Sequence, residues 1–247
     1  MLEGRADIAV HSMKDVPAEL PDGFGIEIVL AREDPRDTLI SAGGSDVDGL
    51  AQGACVGTSS LRRRSQLLAV RPDLDVIDLR GNVPTRLQRF YDGQYDAIVL
   101  AAAGLIRLDK MIDQACPLPV QDMLPAVGQG AIGIECRQDD DQLLALLASL
   151  HHSPTATCVA AERRMNARLG GSCQVPIAGH AELAQGQITL HGLVASADGS
   201  QVVNAVSSGP AREPGAVGEQ VAEQLLASGA AEILAELGVD SRGTGDQ

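Results

Sequence analysis

ACVGTSSLRRRSQLLAV, residues 54–70, passes from a short apolar strand pattern through a Gly-Thr-Ser-Ser turn into a helix opened by three arginines. The next segment repeats the plan. Val76–Leu79 reads as a strand, Arg80-Gly81 as a turn, Asn82 as a helix cap and Val83–Tyr91 as a helix. Strands alternating with amphipathic helices argue for α/β architecture. Working outward, the same texture gives strands at Asp7–Val10, Ile26–Leu30, Ala97–Ala101 and Ala131–Cys136, and a helix at Gln142–Leu150 behind an acidic run. After His151 the pattern changes. A helix over Pro154–Leu169 leads through Gly170-Gly171 to strands at Ile177–Leu183, Gln187–Val194 and Gln201–Ser207, with Asp198-Gly199 turning the last pair. A single helix, Val217–Leu237, follows, and the tail SRGTGDQ is expected to fray.

The expected fold is therefore α/β. Two lobes carry mixed, mostly parallel sheets, and a small α+β C-terminal domain carries a three-stranded antiparallel sheet. Linkers at Arg32–Arg36 and Leu118–Gln129 let the chain leave one lobe and return to it. The expected domains are 1–32 with 128–150, then 33–127, then 151–247.

Only 2% of the residues are aromatic and the net charge is −14, which offers nucleic acid neither stacking rings nor attraction. No apolar run approaches the roughly 20 residues of a membrane span, and MLEGRAD carries no signal-peptide pattern. Five widely spaced cysteines with no C-x-x-C pair suit a reducing, cytosolic setting. Yet seven of the 19 Lys and Arg residues fall between Arg62 and Arg89. This basic island in an acidic chain suits a small polyanion.

The two strand-to-helix junctions bring free N–H groups, hydroxyls and arginines together, as carboxylate or phosphate ligands require. A Ser cap and surface ion pairs account for the same residues structurally. HSMKDVP, His11–Pro17, sets Lys14 beside Asp15 at a strand end, either a solvated pair or a reactive one. Cys173 sits in GGSCQVP, a loop between helix and strand, where a thiol is accessible. Cys55, Cys136 and Cys158 lie in apolar periodic segments and read as buried and inert. VGQGAIG (127–133) is no dinucleotide fingerprint, because a Pro-containing loop precedes it and a strand follows. Asp139–Asp141 reads as a helix start rather than a metal site.

In order, HSMKDVP, REDPRD (32–37), VGTSSLRR, LRGNV, LPAVGQGAIGIE and GGSCQVPI resemble the hydroxymethylbilane synthase (porphobilinogen deaminase) family along essentially the whole chain. The resemblance implies two lobes like those of periplasmic binding proteins and a third domain bearing the loop cysteine. It implies a transferase that joins four porphobilinogen units head to tail, releasing ammonia, on a dipyrromethane cofactor held by a thioether to Cys173. It makes Asp15 the catalytic carboxylate. Ser12, Lys14, Thr58, Ser60, Arg62, Arg63 and Arg80 would hold the cofactor, while Arg62, Arg80 and Arg86 would take substrate carboxylates. No metal is implied, and a cytosolic monomer is expected. The family pattern also places several dozen residues ahead of HSMKDVP. A misassigned start, a fragment and a truly short protein all account for this, and for a truly short protein the expectation is exposed apolar sheet and helix surface, weak or no activity and poor solubility, an impaired form of the enzyme. A two-lobed small-anion-binding protein is the rival from another class.

Overall fold

The computed structural model describes residues 1, 3–17, 20–171 and 175–239, so Cys173 and the SRGTGDQ tail lie outside the described residues. Its sheets are best followed in chain order. β1 (Ile8–Ser12) and β2 (Phe24–Val29) do not pair with each other; β8 (Ile132–Arg137) inserts between them and runs antiparallel to both. The chain thus leaves this sheet after β2 and comes back to it more than a hundred residues later. β1 is an edge strand, and Ile8 and Val10 are exposed on it.

Between departure and return the chain builds a five-stranded sheet in the order β5-β4-β6-β3-β7. Its strands are β3 (Asp37–Ser41), β4 (Cys55–Gly57), β5 (Asp75–Ile77), β6 (Ala97–Ala101) and β7 (Ala115–Pro117). The helices are α1 (Leu61–Val70), α2 (Val83–Tyr91) and α3 (Ala102–Arg107). Leu39, Val56, Ala97 and Val99 pack with Leu67 of α1. The alternate residues Ile40, Ile98 and Leu100 pack with Leu87 and Phe90 of α2 and Leu105 of α3. Both faces are covered, which explains the continuous apolar run of β6.

The expectation of mostly parallel sheets is corrected here. Among the described residues parallel pairing is confined to β4–β5 and β4–β6, and the other ladders are antiparallel. A strand buried on both faces shows the same apolar run whichever way its neighbours point, so composition does not report direction.

The two crossings touch. Glu33 N–H donates to Gly130 O at 3.1 Å, and a Cβ on Gly130 would collide with Glu33 O. Only glycine fits there, with φ +86°. VGQGAIG is thus followed by a strand, as the sequence implied, and its crossing is a close backbone contact, which the sequence did not show.

Beyond α4 (Asp141–Leu147), α5 (Ser153–Arg168) packs on a three-stranded antiparallel sheet of order β11-β10-β9. Asp140 Oδ1 accepts from Leu143 N–H at 3.1 Å, so the acidic run caps α4. β9 (Ile177–Ala184), β10 (Gln187–Ala195) and β11 (Val202–Pro210) bury one face against α5 and α6 (Pro214–Leu225). The expected single final helix is instead two: α7 (Ala231–Glu236) follows a break at Gly229, whose φ of 109° interrupts the helical path.

Glu162 of α5 ties the parts together. Its fully buried carboxylate takes both Nη atoms of Arg32 at 2.7 Å from the outgoing crossing, Gly128 N–H at 2.7 Å from the return, and Ala181 N–H at 2.9 Å from β9. Burial alone would lower the Arg32 pKa, but the Glu162 carboxylate reverses that and raises it. Such a charge-assisted, bidentate arrangement, with further backbone donors on the carboxylate, is the form in which a buried ion pair holds.

Candidate functional site

A cavity of about 560 Å³ opens where the two crossings, α1, α2 and α5 meet, within the usual size for small-molecule sites. HSMKDVP forms one wall. β1 ends at Ser12 and a single 3-10 turn, Met13–Asp15, follows. Met13 and Val16 are buried with Val29, Ala131 and Val159, and Met13 N–H donates to Ala131 O at 3.0 Å. Two apolar anchors therefore bracket Lys14 and Asp15 and turn them toward the cavity. Room for Met13 comes from Gly128 and Gly133, where a side chain would strike it.

The opposite wall is built by the two strand-to-helix junctions. β4 and β5 are parallel, so both junctions open at one sheet edge. Ser60 Oγ accepts from Arg63 N–H at 3.4 Å and caps α1, and Asn82 Oδ1 accepts from Thr85 N–H at 2.9 Å and caps α2. Ser59 Oγ accepts from Leu79 N–H at 3.1 Å and joins one junction to the other.

Arg62 and Arg63 line the cavity, but both are 5% exposed and both are engaged by Asp37 at the start of β3. Arg62 Nη1 donates to Asp37 Oδ2 at 2.7 Å, and Arg63 Nη2 to Oδ1 at 2.7 Å. Arg62 also reaches Leu124 O and Arg63 reaches Val99 O. Burial alone would raise the Asp37 pKa, yet the two guanidiniums hold it far below the usual carboxylate range. One carboxylate faces two arginines, which leaves one positive charge over.

Of the other expected site residues, Lys14, Asp15, Ser60 and Arg86 line the cavity. Arg86 Nε donates to Gly81 O at 2.7 Å. Ser12, Thr58 and Arg80 are not in the wall. Thr58 is buried and its Oγ1 accepts from Ser60 N–H at 3.2 Å, shaping the turn. The Arg80 side chain is 80% exposed beside Asp78. Ser59, Gln129, Arg163 and Asn166 do line the cavity and were not singled out from sequence. Ser59 belongs to the VGTSSLRR motif, whereas Arg163 and Asn166 lie within α5 with no local signature.

Among the described residues five cationic side chains and one carboxylate, Asp15, line the space, which leaves these groups net positive even with Asp37 behind them. Of the described residues that line the cavity, Arg62 and Gln129 each hold a buried atom without a hydrogen-bond partner, Nε and Oε1 respectively. This is a site for a small multiply anionic molecule.

Burial, and next the repulsion of Arg63, push the Lys14 ammonium down to about 8 from its ordinary 10.5, with Asp15 and Asp37 opposing. Between those values the unfolded chain holds the proton more tightly, so the cost to the fold is complete below pH 8 and is relieved as pH rises. Anion binding responds the other way, because the neutral amine attracts nothing. Binding of a small dicarboxylate, measured by calorimetry, is expected to weaken up to roughly tenfold from pH 7 to 9. Lys14→Arg, which stays charged, is expected to flatten that dependence, and an unaltered slope in the variant would rule out Lys14 as its source.

Cys173 lies outside the described residues, but its approach is defined. Gly170 has φ +66°, Gly171 N–H donates to Asn166 O at 2.8 Å, and Gly170 N–H donates to Ala167 O at 3.0 Å. This paired-bond glycine cap ends α5 at the cavity, since Gly171 itself lines it. The remaining thiols differ from one another: Cys136 and Cys158 are buried, and burial pushes Cys158 up to about 11, while Cys55 and Cys116 are half-buried.

Three solved structures resemble parts of this chain. YhfZ from Shigella flexneri is 20% identical over 66% of this chain and 73% of its own, with a TM-score of 0.31. The substrate-binding protein of an amino acid ABC transporter is 13% identical over 60% and 64%, with 0.34. The zinc-bound ligand-binding component of an ABC-type import system from Staphylococcus aureus is 10% identical over 67% and 59%, with 0.37. Family models are far more specific. Residues 1–145 match the dipyrromethane cofactor-binding domain of porphobilinogen deaminase, and residues 156–227 match its C-terminal domain. With the first match alone spanning more than half its length, the chain belongs to the porphobilinogen deaminase family, transferases of tetrapyrrole biosynthesis that use porphobilinogen and carry a dipyrromethane cofactor.

Proposed function

We propose that this chain is a hydroxymethylbilane synthase, condensing four porphobilinogen molecules head to tail with release of ammonia. The observation that carries this reading is the cavity itself, five cations around one carboxylate, at the end of the helix that runs into GGSCQVP. Each pyrrole brings an acetate and a propionate, and a wall of Lys14, Arg62, Arg63 and Arg86 matches such a ligand in charge and donor type. The unpartnered Arg62 Nε and Gln129 Oε1 leave one donor and one acceptor in that wall unused, in keeping with a polar guest. These residues fit the cofactor, with Cys173 as the point of attachment. When bound, the dipyrromethane supplies the terminal pyrrole carbon to which the first unit is joined.

The chain's own residues do the rest. Asp15 opposes the positive charge that develops on the substrate as ammonia leaves, which is electrostatic stabilisation aimed at the transition state. Lys14 and the arginines hold carboxylates, which converts an encounter into an oriented one. The two lobes and the β9–β11 unit act as three domains in this proposal, 1–32 with 128–150, 33–127 and 151–247. The return of β8 between β1 and β2 supports that division. A cytosolic setting accords with the free thiols of Cys55, Cys116, Cys136 and Cys158.

Intact mass spectrometry of the protein expressed in porphobilinogen-producing cells is expected to show the mass of two pyrrole units on Cys173. An ammonia-release assay with porphobilinogen is expected to show turnover. A folded, unmodified protein that binds dicarboxylates reversibly and releases no ammonia would overturn the assignment in favour of a small-anion receptor.

A further inference from the structure

α5 is tied to the end of HSMKDVP at one point and leads in sequence into GGSCQVP at its C-terminal end. At its C-terminal end the glycine cap launches the segment toward Cys173, and Asn166 Nδ2 also donates to Gly171 O at 3.4 Å. One turn earlier, Arg163 reaches across to the end of HSMKDVP. Its Nη2 donates to Pro17 O at 2.9 Å and its Nη1 to Val16 O at 3.3 Å. Residues 163 and 166 are neighbours on one helix face, so the two attachments share a rigid element.

We propose that Arg163 is a positioning residue: its guanidinium fork holds the carbonyls of Val16 and Pro17 and thereby fixes Asp15 relative to the helix end that leads to Cys173. The inference rests on the function proposed above. Three observations favour it over a structural tie of no consequence. The grasped carbonyls belong to the two residues immediately after Asp15, on the side of the turn away from β1. Before Asp15 the backbone is held to β8's approach by Met13 N–H donating to Ala131 O, whereas Val16 N–H donating to Met13 O at 3.3 Å only closes the turn on itself. Arg163 adds a polar tie from the far side of the turn to α5, beside the apolar anchor of Val16. The side chain also lines the cavity rather than the bulk surface, and burial lowers its pKa. Arginine suits the task because a planar fork spans two successive carbonyls, which the single ammonium of lysine does not.

Two variants test this, Arg163→Lys and Arg163→Met, both in the full chain. Hydrogen exchange of the peptide covering residues 11–17 is expected to accelerate at least tenfold in both, with the sheets unchanged. In ammonia release, kcat is expected to fall ten- to a hundredfold while KM for porphobilinogen stays within about twofold, as misplacement of an otherwise intact group predicts. The mass of two pyrrole units on Cys173 should persist. Unchanged exchange would overturn the proposal, and so would a raised KM with unchanged kcat, which marks a direct substrate contact. If Arg163→Met does not fold, Arg163→Lys decides. If the unaltered chain releases no ammonia, the functional reading fails, while the exchange experiment still tests the strut.

Discussion

Asp37→Asn is expected to cost about 3–5 kcal/mol of stability, the range for removing one member of a buried ion pair. Against a typical total of about 5–15 kcal/mol, that is enough to leave the β3–α1 region marginal. The reason lies in what the carboxylate does at 0% exposure. Oδ2 accepts from Arg62 Nη1, and Oδ1 accepts from Arg63 Nε and Nη2 and from Gln129 Nε2 at 3.0 Å. Asparagine keeps the shape but offers one acceptor, and it points an N–H₂ group at an arginine that has only donors. Two buried guanidiniums then lack a counter-charge. Urea unfolding followed by far-UV circular dichroism, appropriate for a chain without Trp, should show the midpoint fall sharply. A change under about 0.5 kcal/mol, the scale of an ordinary surface substitution, would refute the argument.

The pH dependence provides a second check on the same residue. Because the folded pKa of Asp37 is depressed, its contribution is fully present above the unfolded value near 3.9 and fades only as pH falls toward the much lower folded value. The wild-type protein should therefore lose this stabilisation at strongly acidic pH, and the Asp37→Asn variant should show no such component. There is a functional corollary. Asp37 sets how much of the charge on Arg62 and Arg63 reaches the cavity, so these arginines act on a ligand as a fixed, prepaired cluster rather than as two free cations.

That role was not legible in the sequence. VGTSSLRRR announced an anion site, yet nothing in it separates an arginine that faces a ligand from one that faces a buried aspartate 25 residues earlier. β3 itself was missed for a related reason. Its first two residues, Asp37 and Thr38, are polar and fully buried, so the run reads as the end of a linker, and β7 is three residues long and ends in Pro117. The strands and helices that were foreseen have clean periodicity: β6, α1, α2, α5 and the hairpins of β9–β11. The Ser60 and Asn82 caps were foreseen because capping is local chemistry. Glu162, Arg32 and Arg163 join segments far apart in the chain, and a single sequence carries no mark of which long-range partner a charged residue will meet. HSMKDVP is the intermediate case. Its Lys14 and Asp15 drew notice as an adjacent pair, but the reason they face the cavity is the flanking pair, Met13 and Val16, whose burial only the fold reveals.

Asp15→Asn is expected to behave in the opposite way to Asp37→Asn. Asp15 is exposed at the cavity mouth, so the substitution should change stability by no more than about 0.5 kcal/mol. Activity is where the loss appears. Among the described residues Asp15 is the one carboxylate beside five cations lining the cavity, and an anion placed there is out of keeping with binding a polyanion. A group that weakens ground-state affinity for carboxylates earns its position only if it is needed against charge of the other sign, and such charge arises when ammonia leaves the substrate. Asparagine retains a carbonyl oxygen to accept a pyrrole N–H but brings no net charge, so it separates holding from electrostatic stabilisation. By analogy with loss of a preorganised charge-stabilising group, kcat for ammonia release should fall roughly 10²–10³-fold. KM should change little or fall, since a repulsive neighbour of the carboxylates has been neutralised. Asp15→Glu, which restores the charge with a longer reach, should recover part of the rate. If instead Asp15→Asn raised KM and left kcat untouched, Asp15 would be a binding group. The positive charge of the reaction would then need another partner, and Asp15 is the sole acidic side chain lining this cavity among the described residues.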